Sequence, residues 1–271
     1  MSLPSPAPSS AALVTGASAG IGACIARELA GRGHNVVLVA RRRQRLQKLA
    51  DELAAEHGIR AEALGCDLTK PAPRAKLAGR IDELGLKIEI LVNNAGFATN
   101  GPFYKTDPER ELEQVRILVE APVVLTSAFV PAMVERRRGA ILNVASTAGM
   151  QPLPYSAGYS AAKAYALTFS EALHHELRSK GVTVTALAPG PVHTDFWDIS
   201  GWQVAGASFE RAVPRPAWIT AEQAARAGVK GLEKGSRVVV PGWGVKAATT
   251  AGRYVPNAIK LPTIERAMRR R

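Results

Sequence analysis

The chain reads Thr15-Gly16-Ala17-Ser18-Ala19-Gly20-Ile21-Gly22 directly after a short apolar run, and a helical pattern follows at once. Glycines spaced G-x-x-x-G-x-G let a backbone turn sharply and approach a pyrophosphate closely. The N-terminus of the helix that follows offers free N–H groups and the positive end of its dipole. A glycine cluster alone is weak evidence, but after the first strand of an alternating β/α chain it favours dinucleotide binding over a simple turn.

Short β-branched runs alternate with stretches of helical length along most of the chain. Most of the runs are continuously apolar, which is typical of parallel strands that are covered on both faces. The strands are predicted at residues 11–15, 35–40, 60–65, 88–92, 140–145, 182–187 and 237–240, and the helices at 20–32, 43–57, 110–135, 158–180 and 221–234. This alternation predicts an α/β protein with one doubly wound domain.

The domain is expected to span residues 11–242, with irregular segments at both ends and one inside. Residues 1–10, which are rich in Pro and Ser, are predicted to be a disordered lead-in. Residues 193–219 break the β/α rhythm and carry Phe196, Trp197, Trp202, Phe209 and Trp218, so they are interpreted as a substrate loop or as aromatic packing against the core. Residues 243–271 form a basic C-terminal extension, which is either an amphipathic helix or a frayed tail.

Composition narrows the functional classes. The 271 residues include 35 Lys and Arg against 23 Asp and Glu, a net charge of +12, but no nucleic-acid-binding signature accompanies this charge. Two cysteines, Cys24 and Cys66, cannot build a disulfide framework or a cysteine zinc site, so no metal is predicted and a cytoplasmic location is favoured.

The most apolar stretch, residues 118–133, contains Glu120 and Pro122 and is not expected to span a bilayer. Weak contact between the basic extension and an anionic membrane surface remains open.

The end of the second predicted strand bears on the choice of cofactor. About 20 residues after the glycine turn, NAD-binding folds usually place a carboxylate that holds the ribose 2′-hydroxyl. Here that position is Ala40, and Arg41 follows it. A guanidinium can hold a 2′-phosphate with two hydrogen bonds, whereas a carboxylate would repel it. NADP(H) is therefore predicted in preference to NAD(H), although residues 41–45 could also be a solvated start of a helix.

A candidate catalytic group follows the fifth strand. Ser146 lies at the end of that strand, and Tyr159 and Lys163 follow at a spacing that places both on one helix face. A neighbouring ammonium favours the phenolate, so Lys163 is expected to lower the pKa of Tyr159 toward neutrality. Such a tyrosine can exchange a proton with a carbonyl or alcohol oxygen.

Three further motifs complete a pattern: Cys66-Asp67-Leu68, Asn93-Asn94-Ala95-Gly96 and Pro189-Gly190-Pro191-Val192-His193-Thr194. With these motifs, the sequence resembles the short-chain dehydrogenase/reductase family over residues 15–242, and the NADP-preferring reductases within it. The resemblance implies a Rossmann fold with a seven-stranded parallel sheet, hydride transfer with NAD(P), a small carbonyl or alcohol substrate, and a homodimer or homotetramer.

The resemblance also assigns roles. Tyr159 would be the general acid/base, Lys163 would bind the nicotinamide ribose, and Ser146 would hydrogen-bond the substrate oxygen. The predicted cofactor-binding residues are Gly16, Ser18, Ala19, Gly20, Ile21, Gly22, Arg41, Asp67, Leu68, Asn94, Ala95, Gly96, Tyr159, Lys163, Pro189, Val192 and Thr194.

One position departs from the family pattern. The family usually carries an active-site asparagine where this chain has Leu118, and it uses that residue to hold a water that connects Lys163 to solvent. Pro122 removes the N–H that would bond the Leu118 carbonyl, so we expect the helix to be distorted there and the carbonyl to serve instead. The leading interpretation is an NADP(H)-dependent oxidoreductase. The alternative is a cofactor-binding protein in which Leu118 impairs catalysis.

Overall fold

The computed structural model describes residues 3–194, 196, 203–204, 207–208, 217–252 and 254–268. Strands and helices alternate along them as the apolar runs predict. The strands of the main sheet are β1 Ser10–Thr15, β2 Asn35–Ala40, β3 Ala61–Gly65, β4 Lys87–Asn93, β5 Gly139–Val144, β6 Val182–Leu187 and β7 Val238–Val239. The helices are α1 Gly20–Ala30, α2 Arg43–His57, α3 Pro71–Ala75, α4 Leu77–Asp82, α5 Pro108–Val115, α6 Ala121–Glu135, α7 Ala157–Arg178, α8 Ala221–Glu233, α9 Trp243–Gly252 and α10 Asn257–Met268.

All seven strands pair in parallel in the order β3-β2-β1-β4-β5-β6-β7. The predicted doubly wound Rossmann fold with a seven-stranded parallel sheet is confirmed. The strand order reverses between β1 and β4, and in open α/β sheets the crevice at such a switch point binds ligands. The glycine turn leaves β1 at that crevice.

Helices cover both faces of the sheet. On one face, Ile25 of α1, Leu46 of α2 and Val229 of α8 belong to one buried apolar cluster with the strands. On the other face, Ile81 of α4 and Phe129 of α6 belong to a second cluster. β1, β2, β4 and β5 are buried almost throughout, which explains why their sequences are mostly apolar rather than alternating.

The lead-in is held against the fold from its first described residue, contrary to the expectation of disorder. The Asn35 side chain donates hydrogen bonds to the carbonyls of Ala7, Pro8 and Ser10 at 3.2, 3.1 and 2.9 Å. Leu3 packs against the core. The composition of the segment suggested a free tail because its partners lie on strands that are distant in sequence.

The predicted helix at 110–135 is two α-helices joined by a π-helical turn, Arg116–Glu120. The turn lies just before Pro122, so the expected local distortion around Leu118 is confirmed. The whole helical stretch, Pro108–Glu135, is long and apolar enough by length and composition to cross a membrane, contrary to the sequence expectation. A third of its most apolar window is buried within the chain. Core helices pass the same test, so this property alone does not identify a span.

The irregular segments are described only in part. Trp197, Trp202 and Phe209 of the predicted substrate loop, and Arg269–Arg271 of the C-terminal extension, lie outside the described residues. Within the extension, α9 and α10 confirm helical structure where the sequence left helix or frayed tail open.

Candidate active site

A cleft of about 320 Å³ opens at the carboxyl ends of the central strands. Every residue predicted to bind cofactor or to act in catalysis lines it, except Gly22. The cleft therefore joins the glycine turn at one end to Ser146, Tyr159 and Lys163 at the other.

The glycine turn is built for close backbone approach. Gly16 has a φ of +67°, which favours glycine. A Cβ on Gly22 would lie 2.3 Å from Asn94 Nδ2 and 2.5 Å from the Gly16 carbonyl oxygen, so this glycine shapes the turn without lining the cleft. Asn94 donates from Nδ2 to the Thr15 carbonyl at 2.8 Å and ties the turn to the end of β4. A backbone cradle without side chains at the start of α1 fits a dinucleotide pyrophosphate.

Two arginines stand at the nucleotide end of the cleft. Arg41 and Arg42 are both exposed and both line it. Arg42 donates from Nη2 and Nε to the Ser18 hydroxyl at 3.0 and 3.2 Å, which brings its guanidinium over the glycine turn. The sequence singled out Arg41 alone. The run of basic residues after β2 was the available signal for Arg42. Positive charge is unfavourable at the start of a helix such as α2, which indicates an anionic partner.

The three predicted catalytic side chains meet where β5 ends. Ser146 and Tyr159 share a side-chain hydrogen bond. The Ser146 hydroxyl also accepts from the Ala148 N–H at 3.1 Å, which fixes its position. The Lys163 ammonium donates to the Val144 carbonyl at 2.7 Å and lies 5.8 Å from the centre of the Tyr159 ring.

Burial is the main cause of the pKa shifts of Tyr159 and Lys163. It raises the pKa of Tyr159 to about 12, and the hydrogen bond with Ser146 opposes that shift in part. Burial also lowers the pKa of Lys163 to about 8. The expectation that Lys163 brings the pKa of Tyr159 toward neutrality is wrong for the protein alone, because burial disfavours the charged phenolate.

The far end of the cleft is apolar. Leu118, Ile117 and Phe196 line it, and the Tyr159 and Phe196 rings lie 5.8 Å apart. Tyr155 packs against the same group and has a φ of +65°. A non-glycine residue with positive φ is uncommon, and such conformations concentrate at functional sites.

Sequence reasoning also missed a cation–aromatic pair on this cleft. The Arg110 guanidinium lies 3.7 Å from the centre of the Phe97 ring and forms an ion pair with Glu113 at 3.0 Å. Arg110 and Phe97 belong to no recognised motif and meet only in the fold, so their residue types carried no signal. Among the described residues, no group of three or more His, Cys, Asp and Glu side chains is arranged to hold a metal.

Comparison with known proteins agrees with this geometry. The model of the short chain dehydrogenase family matches residues 10–202. The chain belongs to the short-chain dehydrogenase family.

Two solved structures resemble almost the whole chain. A short-chain dehydrogenase from Sphingobium yanoikuyae in complex with NADPH is 33% identical, with a TM-score of 0.80 over 94% of this chain and 95% of that one. A bulky-bulky ketone specific alcohol dehydrogenase from Comamonas testosteroni is 27% identical, with a TM-score of 0.74 over 95% of this chain and 97% of that one.

A curated relative in the same family is a very-long-chain 3-oxoacyl-CoA reductase of Anas platyrhynchos. It is 37% identical over 195 residues, which are 70% of this chain and 62% of that protein. The chain thus spans about three fifths of the length of this relative.

Proposed function

We propose that this protein is an NADPH-dependent oxidoreductase that reduces a ketone to an alcohol. The observation that carries the proposal is the hydrogen-bonded pair of Ser146 and Tyr159, with Lys163 beside it, at the end of a cleft that begins at the glycine turn. A positioned acid and a nucleotide cradle in one cleft suit the reduction of a carbonyl group.

The chain's own residues supply the acid and the orientation. When bound, NADPH supplies the hydride for the carbonyl carbon. The Tyr159 hydroxyl donates its proton to the carbonyl oxygen as negative charge develops there, and the Ser146 hydroxyl hydrogen-bonds the same oxygen. Lys163 would hold the nicotinamide ribose and place an ammonium near the tyrosinate that forms. Burial keeps Tyr159 protonated at neutral pH, so its hydroxyl carries the proton that reduction of a carbonyl requires.

The preference for NADPH rests on the nucleotide end. Ala40 leaves no carboxylate at the position that would repel a 2′-phosphate, and Arg41 and Arg42 line the cleft there. A relative solved in complex with NADPH covers almost the whole chain, which supports this choice.

The names of two relatives support a ketone substrate. One is a 3-oxoacyl-CoA reductase and the other a ketone specific alcohol dehydrogenase, and both names describe reactions at a carbonyl carbon. The apolar lining at Leu118 and Phe196 fits a substrate whose remainder is apolar.

We also propose a homodimer that buries α5, α6 and α7 against the same helices of a second copy. Leu112 and Val115 on α5 and Tyr165 on α7 are exposed, and α5 and α7 pack side by side. Leu112 and Val115 thus lack cover within the chain. In a dimer with a two-fold axis, the same surface patch of each copy covers that of the other. Such dimers are the commonest soluble oligomers.

The function is tested by following NADPH oxidation with a panel of ketones. We expect turnover in the wild type, and a fall of about 10²–10⁴ in kcat/KM in Tyr159→Phe with little change in NADPH affinity. Tyr165→Phe, on the exposed face of the same helix, is the matched control and should match the wild type. Tight NADPH binding without turnover of any ketone would instead support the alternative, a cofactor-binding protein with impaired catalysis.

A further inference from the structure

The C-terminal helix α10 contributes to the buried cluster that contains Tyr159. Met268, at the end of α10, is only 7% exposed and belongs to one buried cluster with Ala98, Leu118, Tyr159 and Ala162. Ile264, one turn earlier, packs against the same cluster. The extension that follows the Rossmann domain therefore contributes side chains to the cluster that holds Tyr159.

One side of α10 is buried and the other is exposed. Lys260, Ile264 and Met268 recur every four residues and are partly or fully buried, which places them on one helix face. Ile259, Thr263 and Arg266 are exposed. The helix thus lies on the domain with a defined orientation, and its buried face ends at the catalytic cluster.

The buried face of α10 continues the apolar end of the cleft. Leu118, Tyr159 and Phe196 line the cleft, and Met268 and Ile264 belong to the same apolar cluster without lining the cleft themselves. The other members of this cluster are apolar or aromatic as well. Beyond the Ser146 and Tyr159 hydroxyls, this environment offers a substrate mainly apolar contacts.

We propose that α10 backs the apolar wall of the substrate site, and that Met268 determines how large an apolar group next to the reacting carbonyl can be. This inference rests on the proposed function and deepens it, because it names the substrate class as ketones with a bulky apolar substituent. Methionine suits such a wall, since its unbranched side chain adapts to irregular apolar shapes. A smaller residue enlarges the space on this side of Tyr159, and an aromatic residue reduces it.

The test compares kcat/KM for acetophenone and benzophenone, which differ only in the size of the second substituent. We expect Met268→Ala to raise the benzophenone-to-acetophenone ratio at least ~10-fold, and Met268→Phe to lower it by a similar factor. Ile259→Ala, on the exposed face of α10, is the matched control and should leave the ratio unchanged. NADPH affinity should be the same in all four proteins.

Two outcomes overturn the inference. If both Met268 variants change the two ketones in parallel, α10 merely supports the fold; if neither variant changes the ratio, Met268 does not face the substrate. Should Met268→Ala unfold, Ile264→Val removes one methyl group from the same wall and is judged by the same ratio.

Failure of the proposed function gives a different result. If the wild type binds NADPH but reduces neither ketone, the proposed reductase activity fails. Calorimetry of benzophenone with the NADP⁺-loaded protein then tests the wall by itself. Tighter binding to Met268→Ala than to the wild type supports it, and equal or absent binding overturns it.

Discussion

Tyr159 and Lys163 lie one helical turn apart, and burial shifts their pKa values in opposite directions. The pKa of the phenol rises to about 12 and that of the ammonium falls to about 8. The spacing of the two residues was readable from the sequence because i and i+4 share a helix face. Their pKa values were not, since these depend on how deeply the fold buries both groups.

The lowered pKa of Lys163 predicts a pH dependence of stability. Between pH 8 and about 10.5 the unfolded chain binds more protons at this lysine than the folded protein does, so the contribution of Lys163 to stability rises with pH in that window. The stability of the wild type relative to Lys163→Met should therefore increase by up to roughly 3 kcal/mol across it. Urea unfolding at successive pH values measures this difference.

Tyr159 has the opposite effect on the pH dependence of stability, and measurements below pH 10 avoid it. Its raised pKa contributes stability that is lost only as pH rises above about 10. Lys180→Met, which removes an exposed lysine just after α7, is the control and should show no such slope. Parallel stability curves for the wild type and Lys163→Met would mean that Lys163 is not desolvated in solution.

Arg41 and Arg42 allow a prediction about cofactor choice. Loss of one charge-assisted contact costs roughly 1.5–3 kcal/mol, so Arg41→Ala or Arg42→Ala should weaken NADPH binding about 10- to 150-fold and leave NADH nearly unchanged. Fluorescence titration with both cofactors measures the two affinities. Arg45→Ala is the control, because Arg45 belongs to the same basic run but does not line the cleft. Equal losses for NADPH and NADH would indicate that the arginines shape the turn rather than bind phosphate.

At the scale of elements, strands that are buried on both faces were easy to predict. β2 and β6 begin and end at the predicted residues. β2 is an apolar run that ends before three arginines, and Gly181 directly precedes β6. The last strand was predicted as four residues and has two, since β7 is an edge strand that pairs with β6 alone. Helix α2 also has its predicted bounds, with Gly58 in the left-handed conformation just after it.

The π-helical turn before Pro122 predicts the effect of restoring the usual family residue. Leu118 lies in that turn, is 4% exposed, and packs in the apolar cluster with Tyr159. We expect its backbone carbonyl to hold the water that connects Lys163 to solvent, so Leu118→Asn should raise turnover modestly or leave it unchanged. The buried amide should also lower the free energy of unfolding by about 1–3 kcal/mol.

Steady-state kinetics and thermal unfolding of Leu118→Asn measure the two effects. Leu118→Met, which keeps an apolar side chain of similar volume, is the control for packing alone. A turnover gain above about 100-fold in Leu118→Asn would mean that the natural protein has an impaired proton relay, and it would favour the alternative function.

At the scale of the whole molecule, sequence reasoning failed where distant segments meet. The lead-in was predicted to be disordered, yet Asn35 bonds three of its carbonyls. The C-terminal extension was predicted only as a basic helix or tail, yet Met268 belongs to the same buried cluster as Tyr159. No local sequence pattern indicates either contact, because each forms only when the folded domain and an end of the chain come together. Contact of the extension with a membrane surface stays a prediction.

Helix α7 belongs both to the proposed dimer interface and to the active site. Tyr159 and Lys163 are buried on one face of α7, whereas Tyr165 is 38% exposed and stacks on Phe169. A charge at Tyr165 would be desolvated in a dimer that covers this face and would face its own copy across the two-fold axis. We therefore expect Tyr165→Arg to convert the protein to monomers in sedimentation analysis at micromolar concentration. Trp243→Arg, which places the same charge on exposed α9, should leave the mass unchanged. If Trp243→Arg alone dissociates the protein, the copies meet through the C-terminal extension instead, and a wild type that sediments as a monomer would exclude both interfaces.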